Sequence, residues 1–151
     1  MLFGGTDDMS ATFPDTWLFG RFTRAITQPF GSACAGTSGP PVLTSNDPYL
    51  GNPAFRFVLA SARASSMCLF AYSAGTQAQA IGPCTLYLSD PIVSLQAASD
   101  AAGFAESATF ALPLDNALRG ATFYVQAFVV DSQGPVLGLA ASAGLRLVLG
   151  D

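Results

Sequence analysis

Apolar and polar residues alternate with a period of two through most of the chain after residue 54. Phe55, Phe57 and Leu59 occupy alternate positions in the first such run, and Leu145 and Leu147 do so in the last. Successive side chains of a β-strand point to opposite faces, so this period indicates half-buried strands. The pattern predicts about eight strands, at 54–60, 67–73, 83–89, 91–98, 104–112, 121–131, 135–141 and 144–150, and a short additional strand could form near 41–44.

Three segments depart from simple alternation. Residues 122–130 are apolar at nearly every position, which is typical of a central strand covered on both faces. The run at 104–112 fits less cleanly, because Glu106 falls on its apolar side. The segment 115–119, closed by Gly120, indicates a single helical turn at most.

Composition divides the chain into three zones. Residues 1–24 are aromatic and turn-rich, and residues 25–53 are rich in Pro, Gly, Ser and Thr, which excludes a long helix there. Residues 54–151 carry the alternating runs. We predict an all-β fold: an antiparallel β-sandwich of about eight strands, with a Pro/Gly-rich N-terminal strap, in which residues 25–151 form one domain.

Residue usage argues against an enzyme. The chain contains no histidine and no lysine, so imidazole bases, Ser-His or Cys-His nucleophiles, His metal ligands and Schiff-base lysines are all excluded. We therefore predict no catalytic residue, no cofactor and no metal site. A paired-carboxylate glycosidase is conceivable with Glu106 and an aspartate, but Glu106 is the only glutamate, and a lone glutamate on a strand is usually solvated or at an edge.

The charge of the chain limits the classes of partner that it is expected to bind. The formal net charge is −4, only 11% of residues are charged, and the six arginines are spread along the chain. A phosphate backbone requires clustered cations, so nucleic acid is not an expected partner. No apolar run reaches the length of about 20 residues that a membrane span needs. The first eight residues lack the basic region of a signal peptide, so export would depend on a signal upstream.

The three cysteines allow three pairings. Cys34 lies in the turn-rich segment and Cys84 opens a predicted strand, so a Cys34–Cys84 disulfide is the favoured pairing; another pairing, or three free thiols, stays open. Cys68 lies among apolar residues and is expected to be a small buried side chain. Their spacing does not supply the four ligands of a zinc site.

Two sets of side chains are candidates for ligand binding. Tyr72, Tyr87 and Tyr124 lie opposite the more apolar set of their strands and could stack on sugar rings, although packing across strands or under a neighbouring domain is the favoured explanation. Asp47, Asp90 and Asp100 could together hold Ca²⁺, but aspartates beside turn residues usually cap the turns.

Part of the first zone resembles a kelch repeat. Phe3-Gly4-Gly5 is similar to the di-glycine of a propeller blade, and Asp15-Thr16-Trp17-Leu18-Phe19 to the strand that carries the blade's tryptophan. The resemblance of residues 2–19 implies that residues 1–24 are a partial blade remnant and that the chain is the tail of a longer propeller protein, or has its start assigned within one; it does not imply a propeller in this chain. An ordinary hairpin with one core tryptophan is the alternative.

Residues 30–151 resemble a recurrent C-terminal domain of large exported bacterial proteins of unassigned function. The resembling pieces include Phe30-Gly31-Ser32-Ala33-Cys34, Gly51-Asn52-Pro53, Cys84-Thr85-Leu86 and Ala111-Leu112-Pro113-Leu114. This resemblance implies export and a role without catalysis.

These expectations combine into one functional hypothesis. We predict a non-catalytic structural or interaction module at the C-terminus of a secreted or cell-surface protein, able to self-associate through strand edges. Its partners would be other domains of a larger parent, copies of itself, or cell-envelope components. The alternative is a carbohydrate-binding module that uses the three tyrosines.

Overall fold

The computed structural model describes residues 22–151, so the segment that resembles a kelch repeat lies outside the described residues. The described residues contain eleven strands and one 3₁₀ turn. The strands are β1 (Ile26–Phe30), β2 (Val42–Ser45), β3 (Phe57–Ala60), β4 (Met67–Ser73), β5 (Thr76–Ile81), β6 (Cys84–Leu88), β7 (Val93–Ala98), β8 (Ala105–Glu106), β9 (Thr122–Val130), β10 (Leu139–Ala141) and β11 (Gly144–Val148).

Two antiparallel sheets pack face to face. The larger has the order β1-β11-β9-β4-β7, with β10 also paired to β9, and the smaller has the order β2-β3-β8. Their facing side chains form one core, in which the Phe57 and Phe70 rings stack at 6.0 Å. The predicted all-β antiparallel sandwich is therefore confirmed, and no α-helix occurs within residues 22–151.

Strand β9 is central, as its apolar sequence predicts. Its inward side chains Val125, Ala127 and Val129 are fully buried in the core between the sheets. On its opposite face Gln126 is also fully buried, because the β5–β6 hairpin covers that part of the larger sheet.

The β5 strand was not predicted from the pattern. Residues 77–80 alternate Gln with Ala, and all six side chains of the strand are exposed, so the strand has no large apolar residue that it buries. They form a strand because they pair with β6, the predicted strand at 83–89.

Two predicted strands are shorter than expected. Within 104–112 only Ala105–Glu106 is a strand, followed by an isolated bridge between Phe55 and Phe110. Glu106 faces outward, where its carboxylate lies 3.3 Å from the Arg56 guanidinium. Within 135–141 only Leu139–Ala141 pairs with β9, since Leu137 adopts the left-handed conformation of a turn.

The segment 25–53 contributes two strands. β1 pairs with β11 at one edge of the larger sheet, and β2 pairs with β3, which confirms the short strand expected near 41–44. The helical turn expected after Asp115 is a single 3₁₀ turn at Asn116–Leu118, in which the Ala117 amide donates to the Asp115 carboxylate.

Candidate interaction surface

A disulfide joins Cys34 to Cys84, with the two Cα atoms 5.3 Å apart. This confirms the favoured pairing. Cys34 also exchanges backbone hydrogen bonds with Ala141 of β10, at 2.7 and 3.0 Å. The bridge therefore fixes the start of β6 to the edge of the larger sheet.

Cys68 is fully buried in the core and is the free cysteine, as the sequence indicated. Burial raises the pKa of its thiol, although hydrogen bonding to Ser99 opposes that effect. A buried thiol with a raised pKa is a poor nucleophile. Cys68 therefore serves packing.

Gln126 holds the β5–β6 hairpin against the larger sheet. Its side-chain oxygen accepts from the Tyr87 amide at 3.0 Å, and its amide group donates to the carbonyls of Thr85 at 2.9 Å and Ser142 at 3.0 Å. Each of these groups is thereby paired away from water. The one polar residue inside the longest apolar run is thus a structural link.

Tyr87 and Tyr124 lie on the hairpin side of the larger sheet. Both pack edge-to-face against Phe30, with ring centroids 5.3 and 5.8 Å away. The Tyr87 hydroxyl accepts from the Ser32 amide at 2.9 Å, and hydrogen bonding to Ser32 lowers the pKa of Tyr87. These rings pack against their own chain.

Tyr72 lies on the opposite face of the same sheet. It packs against Phe57 and lines an apolar cleft of about 360 Å³ at one end of the sandwich. The cleft is lined by Phe57, Tyr72, Ser73, Ala74, Pro91, Val93, Phe110, Leu112 and Phe123. The three tyrosines therefore do not form one stacking surface.

The carboxylates considered for calcium are turn and surface groups. Asp100 accepts from the amides of Ala102 and Phe104, both at 2.8 Å, which is the bonding of a turn cap. Among residues 22–151, no three Asp, Glu or Cys side chains gather where they could hold a metal ion.

Asp131 forms a buried polar link that the sequence did not reveal. Its carboxylate accepts from the hydroxyl and the amide of Thr37, both at 2.6 Å, and from the Gln133 amide at 3.0 Å. The Thr37 hydroxyl is the main cause that lowers the pKa of Asp131, against the opposing effect of burial. The link ties the segment after β1 to the end of β9.

One side of the molecule carries no charged side chain on its strands. Strands β4, β5, β6 and β7 contain no Asp, Glu, Lys or Arg, and Asp90 is the one charged residue between positions 67 and 98. Charged residues normally make up about a quarter of a soluble domain. This side of the protein is therefore unusually poor in charge.

Several large apolar side chains are exposed there, outside the area that the hairpin covers. Met67 is 49% exposed, Val130 41% and Leu137 96%. Together with neighbouring residues they form what we call the outer patch: Met67, Leu69, Ile81, Leu86, Phe128, Val130, Leu137 and Leu139. The outer patch contains a groove of about 350 Å³, which borders the tip of the β5–β6 hairpin. The feature of the sequence that could have indicated the outer patch is the long stretch without charged residues.

Comparison with family models, with characterised proteins and with solved structures finds no match to this chain. Among residues 22–151 we find no helical segment with the length and apolar composition that a membrane span requires.

Proposed function

We propose that this domain is a non-catalytic structural and interaction module of a secreted or cell-surface protein. It binds its partner through the outer patch and the adjacent uncharged strand edges. Its partners are the parent's other domains, the cell envelope, or copies of itself.

The outer patch is the observation that supports this proposal. Exposed apolar groups that adjoin one another on a soluble protein usually mark an interaction site. Covering Met67, Val130 and Leu137 would remove apolar surface from water, at about 25 cal/mol for each Å². No charged group on β4–β7 would have to lose its hydration when a partner covers this side.

The disulfide supports the extracellular part of the proposal. Structural disulfides persist in oxidising compartments and are rare where glutathione keeps thiols reduced. Cys34 and Cys84 close a sequence separation of 50 residues, and their bridge fastens the hairpin that borders the outer patch. Export would therefore maintain the proposed binding surface.

Light scattering on the chromatographically separated protein tests the proposal over a hundredfold range of concentration. We expect association that rises with concentration and that Val130→Lys weakens, because a charge is then buried in the contact. Leu114→Lys is the control, since Leu114 is exposed outside the outer patch. A strict monomer at the highest concentration would contradict self-association, and equal effects of both variants would contradict a role of the patch.

The carbohydrate-binding alternative has no support from the tyrosines. Tyr72 faces the core side of the larger sheet, whereas Tyr87 and Tyr124 contact Phe30 on its other side. A glycan array would still measure it directly, and binding to any polysaccharide would reopen it.

A further inference from the structure

We infer that the partner of this module is a second copy of the same chain, joined to it along strand β7. The two copies would pair their β7 strands antiparallel about a twofold axis and so join their larger sheets into one. This inference rests on the part of the proposed function that concerns the uncharged strand edges, and it specifies the partner; the outer patch is not needed for the β7 contact.

Strand β7 ends the larger sheet and has unpaired backbone groups. It pairs with β4 alone, in the register Phe70↔Leu95. The Ser99 amide donates to the Ser66 carbonyl at 2.9 Å, so in this register alternate residues Val93, Leu95 and Ala97 bond to β4.

The intervening residues therefore direct their backbone groups away from β4. These are Ser94, Gln96 and Ala98, whose side chains are all exposed. Within the described part of the chain, no loop or strand beyond β4 hydrogen-bonds to them. They form a free ladder edge of the kind that accepts another strand.

Four other strand edges are less suited to pairing. β2 has only four residues and directly follows Pro40 and Pro41. β1 contains Pro29, which has no amide hydrogen, and β8 is two residues long and includes Glu106. β5 is uncharged, but a shift of register between Thr76 and Gln79 interrupts its ladder. β7 is regular over six residues and contains neither proline nor a charge.

A second copy fits this edge because a twofold contact uses the same surface of both copies. A charged residue at the centre of β7, where the strand crosses the twofold axis, would face its own like charge, which is destabilising in a strand pair. β7 reads Val-Ser-Leu-Gln-Ala-Ala, so this penalty is absent. The pairing that uses the free groups sets Gln96 opposite Gln96 of the second copy and Ser94 opposite its Ala98.

The experiment is sedimentation velocity on the full chain carrying Gln96→Lys, with Gln79→Lys on β5 as the matched control. Lysines opposite each other across the axis should weaken dimerisation about two- to fivefold, given the cost of like charges in cross-strand pairs. Gln79→Lys should leave it unchanged. Gln96→Pro should abolish it, because proline removes the outward amide at the centre of the contact without removing a bond to β4.

Hydrogen exchange gives a measurement that does not depend on a variant's folding. The amides of Ser94, Gln96 and Ala98 should exchange fast in the monomer and become protected as the dimer forms. Thermal unfolding of each variant checks that the fold is intact.

The outcomes separate this inference from the proposed function. Association that resists both Gln96 variants, or that Gln79→Lys disrupts instead, overturns the β7 contact and leaves the interaction module standing. Protection of the three amides in the monomer also overturns it, since the chain itself then covers the edge. A protein that stays monomeric throughout removes self-association altogether.

Discussion

At the scale of single residues, buried polar side chains decide where the irregular parts of this chain attach. Gln126 and Asp131 are both almost completely buried, and each bonds to backbone groups from distant segments. Inside a protein such bonds are strong, and leaving their partners unpaired is costly. Through these hydrogen bonds, the two residues hold distant segments of the chain in defined positions within a largely apolar core.

Replacing Gln126 with leucine should destabilise the protein by about 3 kcal/mol or more, because two buried backbone groups and one part-buried group lose their partner, at roughly 1–3 kcal/mol for each buried group. Urea unfolding at pH 7 measures the loss. Gln133→Leu is the control, since Gln133 is exposed, and its effect should stay within about 0.5 kcal/mol. Similar losses in both variants would contradict the role of the Gln126 hydrogen bonds.

Asp131 should make stability depend on pH. The Thr37 hydroxyl, above all, lowers the pKa of Asp131 in the folded state, so the unfolded chain takes up the proton first as pH falls. Its stabilisation is complete above about pH 5 and is lost progressively below about pH 4.

Urea unfolding at pH 7 and pH 3 measures this effect in the natural chain and in Asp131→Asn. The variant should be less stable at pH 7 and should lose less stability between the two pH values. An identical pH dependence in both proteins would show that Asp131 does not contribute.

At the scale of elements, the β5–β6 hairpin is attached to the sandwich differently from the other strands. It forms a two-stranded sheet of its own, and β5 buries none of its residues. What holds it are the hydrogen bonds of Gln126, the packing of Tyr87 on Phe30 and the Cys34–Cys84 bridge. Of these attachments of the hairpin, the disulfide can be tested most directly.

The double variant Cys34→Ala/Cys84→Ala should lose about 4 kcal/mol of stability, the chain-entropy value for closing a loop of about 50 residues. Denaturant unfolding with and without a reducing agent checks the assignment. Reduction should destabilise the natural chain and Cys68→Ala alike, and should leave the double variant unchanged. A double variant that still responds to the reductant would contradict the bridge.

At the scale of the whole molecule, the charged residues lie outside the strands around the proposed contact. The net charge is −4, while strands β4–β7 carry no charge. Two copies therefore repel at long range, yet their contact contains no ion pairs that salt could weaken. The attraction between the two copies then comes from the burial of apolar area and from backbone hydrogen bonds between their strands.

Dimerisation should consequently strengthen as sodium chloride rises from about 10 to 500 mM, because the Debye length falls from about 30 Å to only a few Å and screens the repulsion. Sedimentation velocity at both salt concentrations measures it. Gln96→Lys provides the comparison, since its added repulsion should also decrease in salt. An association that salt weakens would point to charge pairs instead and contradict an uncharged interface.

The limits of prediction are clearest at the three tyrosines. Tyr72 and Tyr124 look equivalent, since each lies opposite the more apolar set of its own strand. Their faces follow from the register between β4 and β9, in which Tyr72 is opposite Val125, so Tyr124 points the other way. That register comes from the packing of distant segments and cannot be derived from either strand alone.

The sequence by itself determined the class of fold, because a period of two records which side chains each strand buries. It also favoured the Cys34–Cys84 disulfide and predicted the burial of Cys68, through the surroundings of each cysteine, and the structure confirmed both. Only the tertiary structure decided the fully exposed strand β5, the Asp131 link, the opposite faces of the tyrosines and the open edge of β7. At those residues, burial and strand pairing depend on which distant segment of the chain packs against them. The local sequence does not indicate which segment that is.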